Sequence, residues 1–304
     1  MQLTIDTSEV MPYGLVSQLT NSGVTMIVVT GATGNVGRPL VRMLAEAGEK
    51  VTAVSRRRPD DLPHGVRHVA ADLTNTGEVA AAFDGAEQLF LLLAPGSLAA
   101  DVPGVLTAAR DAGVRRIVLL SSQGVGTRPD SASHGQFGKQ VEVAVQNSGL
   151  EWTILRPSGF QSNVAMWADA VRTQRTVTAP FGDVAIPFVD PDDIAAVAAT
   201  ALREPGHAGR TYVLTGPAPE SPRDRVRDLA ERLGEPVRFV EQTAEQARVQ
   251  LLTVMPADAA DTTLAIIGAP TPEELRVSGD VEAVLGRAPR PFSTWARRNI
   301  DMFR

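Results

Sequence analysis

Met26-Ile-Val-Val-Thr-Gly-Ala-Thr-Gly-Asn-Val-Gly-Arg38 is the stretch that decides the fold. Its first four residues are apolar and mostly β-branched, which suits a strand buried on both faces of a parallel sheet. Three glycines follow, at Gly31, Gly34 and Gly37. After them Pro39, Leu40, Val41, Leu44 and Ala45 recur at helical spacing. The order is strand, glycine-rich turn, helix. A helix N-terminus carries unpaired N–H groups and a partial positive charge, so it attracts phosphate. Glycines let the backbone turn tightly and lie against a pyrophosphate with no Cβ in the way. Glycine triplets also mark ordinary turns; the flanking strand and helix are what point to a dinucleotide.

Outward from this stretch, strands and helices alternate. Strands are expected at 50–55, 66–70, 87–93, 114–121 and 152–155, and helices at 76–83, 102–112 and 135–147. This rhythm predicts an α/β fold, a doubly wound parallel Rossmann sheet. Past Pro157 the rhythm changes. Residues 160–172 look helical, 177–188 strand-like, 194–202 helical behind an acidic N-terminus, and 211–214 a returning strand. Residues 217–291 mix prolines with helical stretches, and 292–303 form an amphipathic helix. A smaller C-terminal substrate lobe is therefore expected, drawn mainly from 157–182 and 217–304, on a nucleotide-binding domain spanning 26–304. Residues 1–25 lack sustained periodicity and read as an N-terminal extension outside the core.

Composition narrows the function. The chain has 304 residues, is 43% hydrophobic and 21% charged, and falls within ordinary globular usage. A net charge of −6 argues against a nucleic-acid partner. The absence of cysteine excludes disulfides, thiol catalysis and thiolate metal ligands. The four histidines lack ligand spacing, so no metal is expected. No apolar run reaches membrane-spanning length, and a cytoplasmic protein, monomer or homodimer, is the expectation.

NAD-binding folds end the second strand with a carboxylate for the ribose hydroxyl. Here Ser55 stands in that place, followed by Arg56, Arg57 and Arg58. A guanidinium pairs with a 2′-phosphate that a carboxylate would repel, so NADPH is the expected cofactor. Asp72 and Leu73, at the end of the third strand, stand where an adenine edge would lie; Asp72 serves equally as a cap for the segment from Thr74.

These residues resemble the atypical short-chain dehydrogenases of the NmrA-like group. The likeness rests on the glycine turn with Arg56, on Leu92-Leu93-Ala94-Pro95, and on Leu119-Leu-Ser-Ser122. It continues in Trp152-Thr-Ile-Leu-Arg-Pro157 with Phe160 and Asn163, and in Pro187-Phe-Val-Asp190 with Asp193. It implies that Gly31, Thr33, Gly34, Asn35, Val36, Ser55, Arg56, Asp72, Leu73, Leu93, Ala94, Pro95, Lys139 and Pro157 line the dinucleotide. The group holds quinone reductases, isoflavone-type reductases, ketoreductases and a regulator that binds the dinucleotide without turnover.

One mechanism is excluded. The Tyr-x-x-x-Lys pair of many short-chain dehydrogenases is missing, because the two tyrosines, Tyr13 and Tyr212, are followed four residues on by Ser17 and Gly216. Gly135 stands where that tyrosine would be. Lys139 occupies a place similar to a lysine of the isoflavone-type reductases. It is the candidate for holding the nicotinamide ribose, orienting the carbonyl or donating a proton, against the plain alternative of an exposed helical lysine. Ser122 ends the fifth strand, where a hydroxyl can bond the reacting carbonyl or cap a turn. His134 is either an acid or a solvated loop residue. Phe160 and Trp167, with Met166 and Phe181, are candidates for the substrate wall, and the polar 124–135 loop for a cover. The expected activity is NADPH-dependent hydride transfer to a carbonyl or quinone of an aromatic small molecule, polyketides among them. The alternative is an NAD(P)-sensing regulator.

Overall fold

The computed structural model describes residues 25–93 and 99–304. The expectations for the N-terminal extension before Thr25, and for Ala94 and Pro95, lie outside these residues.

Apolar side chains pointing in both directions from a strand demand cover on both faces. Ile27 and Val29 of β1 (Met26–Thr30) join one buried cluster, and Val28 between them joins another. The other strands of this sheet are β2 (Lys50–Ser55), β3 (Arg67–Ala70), β4 (Gln88–Leu92), β5 (Arg116–Leu120), β6 (Glu151–Pro157) and, beyond a separate β7 (Thr176–Ala179), β8 (Arg210–Leu214). Their order is β3-β2-β1-β4-β5-β6-β8, parallel throughout. β7 pairs in parallel with β9 (Arg238–Glu241) outside this sheet.

Helices cover both faces. α1 (Gly37–Glu46) buries Leu40, Val41 and Leu44, each contributing about 1.5–3 kcal/mol by leaving water. On the opposite face lie α2 (Thr76–Ala80), α3 (Val102–Asp111) and, after the short α4 (Gly124–Thr127), α5 (Phe137–Gln146). Beyond β6 come α6 (Ala168–Gln174) and α7 (Pro191–Arg203). α7 packs beside α1, with Asp190 capping its N-terminus by accepting from the Asp192 amide at 3.0 Å.

A third core joins Val164, Val171, Val177, Val226, Leu229, Phe292, Trp295 and Phe303. It is built from α6, β7, α8 (Pro222–Leu233) and α13 (Phe292–Asn299). Between α8 and α13 run α9 (Ala244–Leu251), α10 (Ala257–Gly268), α11 (Pro272–Leu275) and α12 (Asp280–Leu285). Buried carboxylates tie this lobe to α7: Asp190 pairs with Arg298 at 2.8 Å and Asp193 with Arg287 at 2.7 Å.

Two expectations need correction. The strand-like stretch 177–188 is a strand only to Ala179, because Pro180, a positive φ of 54° at Phe181 and Gly182 end it. The 124–135 segment is not a plain loop. It holds α4 and one wide turn, Ala132–Gln136, fastened to α11 through Arg128. Among the described residues no helix is long and apolar enough to cross a membrane, and no group of three or more metal-ligating side chains forms.

Candidate active site

The strand order reverses between β1 and β4, which opens a crevice at the C-terminal ends of the strands. The buried Thr30 hydroxyl stitches the two together there, accepting from the Leu92 amide at 2.8 Å and donating to the Phe90 carbonyl at 3.1 Å. Gly31 then turns with φ of 63°, and a Cβ on it would strike Leu92. A Cβ on Gly37 would strike the Gly31 carbonyl, so this glycine sets the close approach of α1 to the turn. Gly34 differs. Its only near neighbour is the Gly31 oxygen at 3.3 Å, and otherwise it faces open space at the start of α1. Open space at a helix N-terminus is what a pyrophosphate cradle requires. Val36 is buried as the N-cap of α1, and Asn35 Nδ2 donates to Ser162 Oγ at 3.1 Å, linking the turn to the chain after β6.

The crevice continues over β2 and β3 as a cleft of about 160 Å³, lined by Thr33, Gly34, Ser55, Arg56, Asp72 and Leu73. It opens into a wide basin of about 990 Å³ bearing Arg38, Arg56, Arg57 and Arg58. Arg38 is held by Asp61 at 3.3 Å, while Arg56 to Arg58 stand exposed. The Ser55 hydroxyl donates to the Arg57 carbonyl at 2.7 Å, so His68 Nε2, 2.9 Å away, is the donor to that oxygen. Asp72 Oδ1 accepts from the Thr74 amide at 2.9 Å and the Thr74 hydroxyl at 2.8 Å. The amide is the main reason its carboxyl sits below the usual carboxylate range. It therefore acts as a turn cap at the cleft edge. Cradle, helix terminus and arginines together fit a phosphorylated dinucleotide.

Past the ends of β4 and β5 lies a cavity of about 520 Å³. Leu93, Ser122, His134, Phe137, Val141, Met255 and Thr263 line it. Ser122 Oγ accepts from the Gly124 amide at 3.1 Å, and its own proton has no acceptor among the described residues, so it can serve a ligand oxygen. His134 is half-buried, with Nδ1 2.9 Å from Ser133 Oγ. Burial pushes its pKa below the ordinary histidine value despite Asp258 and Glu274 nearby. A second, likewise apolar cavity of about 420 Å³ shares Met255 and Thr263 with the first and continues into the C-terminal lobe. Met166, Trp167, Phe188, Gln242, Leu251 and Ile267 line it.

The family model described as NAD(P)H-binding matches residues 31–205, the glycine turn through α7. The chain belongs to this NAD(P)H-binding family. It is 35% identical over 283 residues to a (4-alkanoyl-5-oxo-2,5-dihydrofuran-3-yl)methyl phosphate reductase of Streptomyces griseus, covering 91% of this chain and 99% of that one. It is 34% identical over 286 residues to an NAD(P)H azoreductase of Xenophilus azovorans, with the same coverage. Its fold matches an NADPH-dependent quinone oxidoreductase from Escherichia coli with a TM-score of 0.70 at 24% identity, covering 90% and 99% of the two chains.

The structure separates the site residues that the sequence singled out. It brings Leu93, Ser122 and His134 to one cavity and Trp167 with Met166 to the next. Lys139 is not brought in. α5 turns Phe137, Gly138 and Val141 inward, and Lys139 stands exposed on its outer side. Gly135 cannot carry a tyrosine-like side chain, since even a Cβ would strike the carbonyls of Arg128 and Pro129. Phe160 lines neither cavity; it bridges to Val189 and packs on the core under α7. Phe181 packs over Gly268 instead of facing the cavity. Pro157, buried at the end of β6, accepts from the Gln123 amide at 2.9 Å.

Sequence reading passed over Arg38, whose signal was its place just after Gly37. It also passed over Glu142 and Arg156. Glu142 is fully buried on α5, and Arg156 Nε reaches its Oε1 at 2.8 Å. The Ser121 hydroxyl donates to the same oxygen at 2.6 Å. This cluster fixes the end of β5, and with it Ser122, against α5.

Proposed function

We propose that this protein is an NADPH-dependent reductase of a carbonyl or quinone group on an aromatic small molecule. The observation that carries the reading is the cavity at Ser122, past the ends of β4 and β5, which shares Met255 and Thr263 with an apolar cavity walled by Trp167 and Phe188. A protein that merely sensed the dinucleotide has no need of that second space, and both curated relatives described above are reductases.

NADPH, when bound, supplies the hydride. The residues of this chain do the rest. The cradle and α1 N-terminus hold the phosphates, and Arg56 with Arg38 favours the 2′-phosphorylated form. Leu93, Phe137 and Val141 keep water from the reacting end. The free proton of the Ser122 hydroxyl bonds the acceptor oxygen as charge develops on it. His134, kept neutral by burial, offers a second polar group without a fixed charge. No Tyr-Lys pair is present to deliver the final proton, which suits acceptors such as quinones that need little acid assistance.

The test is NADPH oxidation, followed by absorbance, with a panel of naphthoquinones, polycyclic ketones and azo dyes. Turnover with a quinone or ketone supports the reading. Tight NADPH binding with no turnover across the panel would favour the sensor instead.

A further inference from the structure

Arg225 lies in the first turn of α8 and is only 5% exposed. A cation that deep is ordinarily paired with a carboxylate. Here, among the described residues, none forms an ion pair with it. Its Nη2 donates to the backbone carbonyls of Glu220 at 3.2 Å and Ile186 at 3.4 Å. Its Nε is buried with no acceptor among the described residues. The guanidinium lies over the ring of Phe188, 4.1 Å from the centroid, with Phe292 at 5.9 Å. Burial draws its pKa down to about 10, so it remains a cation near neutrality.

The side chain lines the apolar cavity, and the buried Gln242 lines the same cavity. Glu220 is the acid that lines the same cavity. Burial pushes its carboxyl above the ordinary range, and it makes no ion pair. Its charge and that of Asp224 act on the arginine through space, without a contact ion pair. The neighbouring Asp224 is engaged by Ser221 at 2.7 Å and by Arg227 at 2.6 Å.

We propose that Arg225 marks an anion subsite: this cavity takes an amphiphilic substrate whose apolar body lies among Trp167, Phe188 and Ile267 and whose anionic group, a phosphate, carboxylate or sulfonate, bonds Arg225. An anion in the cavity would pair with a guanidinium that lines it and is already oriented by the Phe188 ring. The same cation without an anion is a buried, half-satisfied group, which costs stability. The inference rests on the reading of this cavity as the substrate's.

The probes are octyl phosphate and octanol, which share an apolar chain and differ in the anion, with inorganic phosphate as a third arm. Each is tested as an inhibitor of naphthoquinone reduction, and by calorimetric titration, at saturating NADPH or NADP so that the cofactor's own phosphate sites are filled. Octyl phosphate should bind about tenfold or more tightly than octanol, the scale of one charge-assisted hydrogen bond. Inorganic phosphate should bind far more weakly than octyl phosphate, because it lacks the chain. Arg225→Met, whose side chain suits the apolar surroundings, should erase the preference while leaving octanol and NADPH binding unchanged. Arg225→Lys should keep part of it. Equal binding of octyl phosphate and octanol to the wild type overturns the proposal, as does a preference that survives Arg225→Met. Should Arg225→Met not fold, the wild-type comparison decides. Should the protein reduce no quinone, calorimetry still reads the subsite, so that loss of the reductase reading and loss of the anion subsite remain separate results.

Discussion

Arg128 and Glu274 form a two-pronged ion pair, Nε to Oε1 at 2.8 Å and Nη2 to Oε2 at 2.7 Å. It fastens the segment between β5 and α5, which carries His134, to α11 of the C-terminal lobe. Burial alone would raise the Glu274 carboxyl, but hydrogen bonds from Arg128, the Thr271 amide and Thr127 outweigh it and hold the pKa below the ordinary value. Arg128→Met leaves that carboxylate buried and unpaired, and should cost about 3 kcal/mol of unfolding free energy. Because the folded-state pKa is lowered, this contribution is complete above the ordinary value of 4.5 and is lost as pH falls through the folded value. Urea unfolding of wild type and variant at neutral and acid pH measures it; the gap between the two should narrow in acid.

Arg56 stands exposed beside the cleft, and Ser55 replaces the acid that would repel a 2′-phosphate. Wild type should bind NADPH more tightly than NADH by about 1–3 kcal/mol, the worth of charge-assisted hydrogen bonds. Arg56→Ala should remove most of that difference and leave NADH affinity nearly unchanged. Titration of both cofactors into both proteins checks it, and equal wild-type affinities would remove the idea.

The glycines of the turn are separable. Gly37→Ala drives a methyl into the Gly31 carbonyl and should destabilise the fold itself. Gly34→Val meets little protein, so it should remain folded while its side chain fills the space the pyrophosphate needs. Thermal melts with and without NADPH distinguish them: Gly37→Ala melts low in both, and Gly34→Val melts normally but gains nothing from cofactor. A folded Gly34→Val that binds NADPH normally would make the turn purely structural.

The nucleotide half was legible because its signals are local. The apolar run at Met26, the glycine spacing and the acid-to-arginine exchange after β2 each lie within a dozen residues. The reaction end was not, because it is assembled from distant pieces. Met255 and Thr263 meet Ser122 only through the packing of α10, and Arg225 reads in sequence as one more charge on the polar helix α8. Lys139 shows a related limit: a resemblance supplies a position on a helix, and rotation about the helix axis decides which way the side chain faces.

Burial keeps His134 neutral further into acid than an ordinary histidine. With a naphthoquinone acceptor, kcat/KM should therefore stay level as pH falls through 6.5, the ordinary histidine value, and decline only below it. Since the group charges more readily when unfolded, its burial also removes stability as pH drops below that value. His134→Asn should flatten the low-pH limb of the rate profile. A break at the ordinary histidine value in the wild type would mean that His134 is solvated in the working enzyme.

Ser122 and Lys139 give the sharpest contrast within one experiment. Ser122 Oγ is held at the cavity by the Gly124 amide, and its proton has no protein acceptor among the described hydrogen bonds. Placed against a developing oxyanion, such a donor contributes about 10²–10³ in turnover, so Ser122→Ala should lower kcat/KM by that factor. NADPH affinity should hardly move, because the phosphate contacts lie at the other end of the crevice. Lys139 is exposed on the far side of α5, and Lys139→Ala should leave both turnover and affinity close to wild type. Steady-state kinetics with direct NADPH titration for the two variants read this directly. A large loss of turnover in Lys139→Ala with Ser122→Ala near normal would reverse the assignment, and would require α5 to rotate when cofactor and substrate are bound.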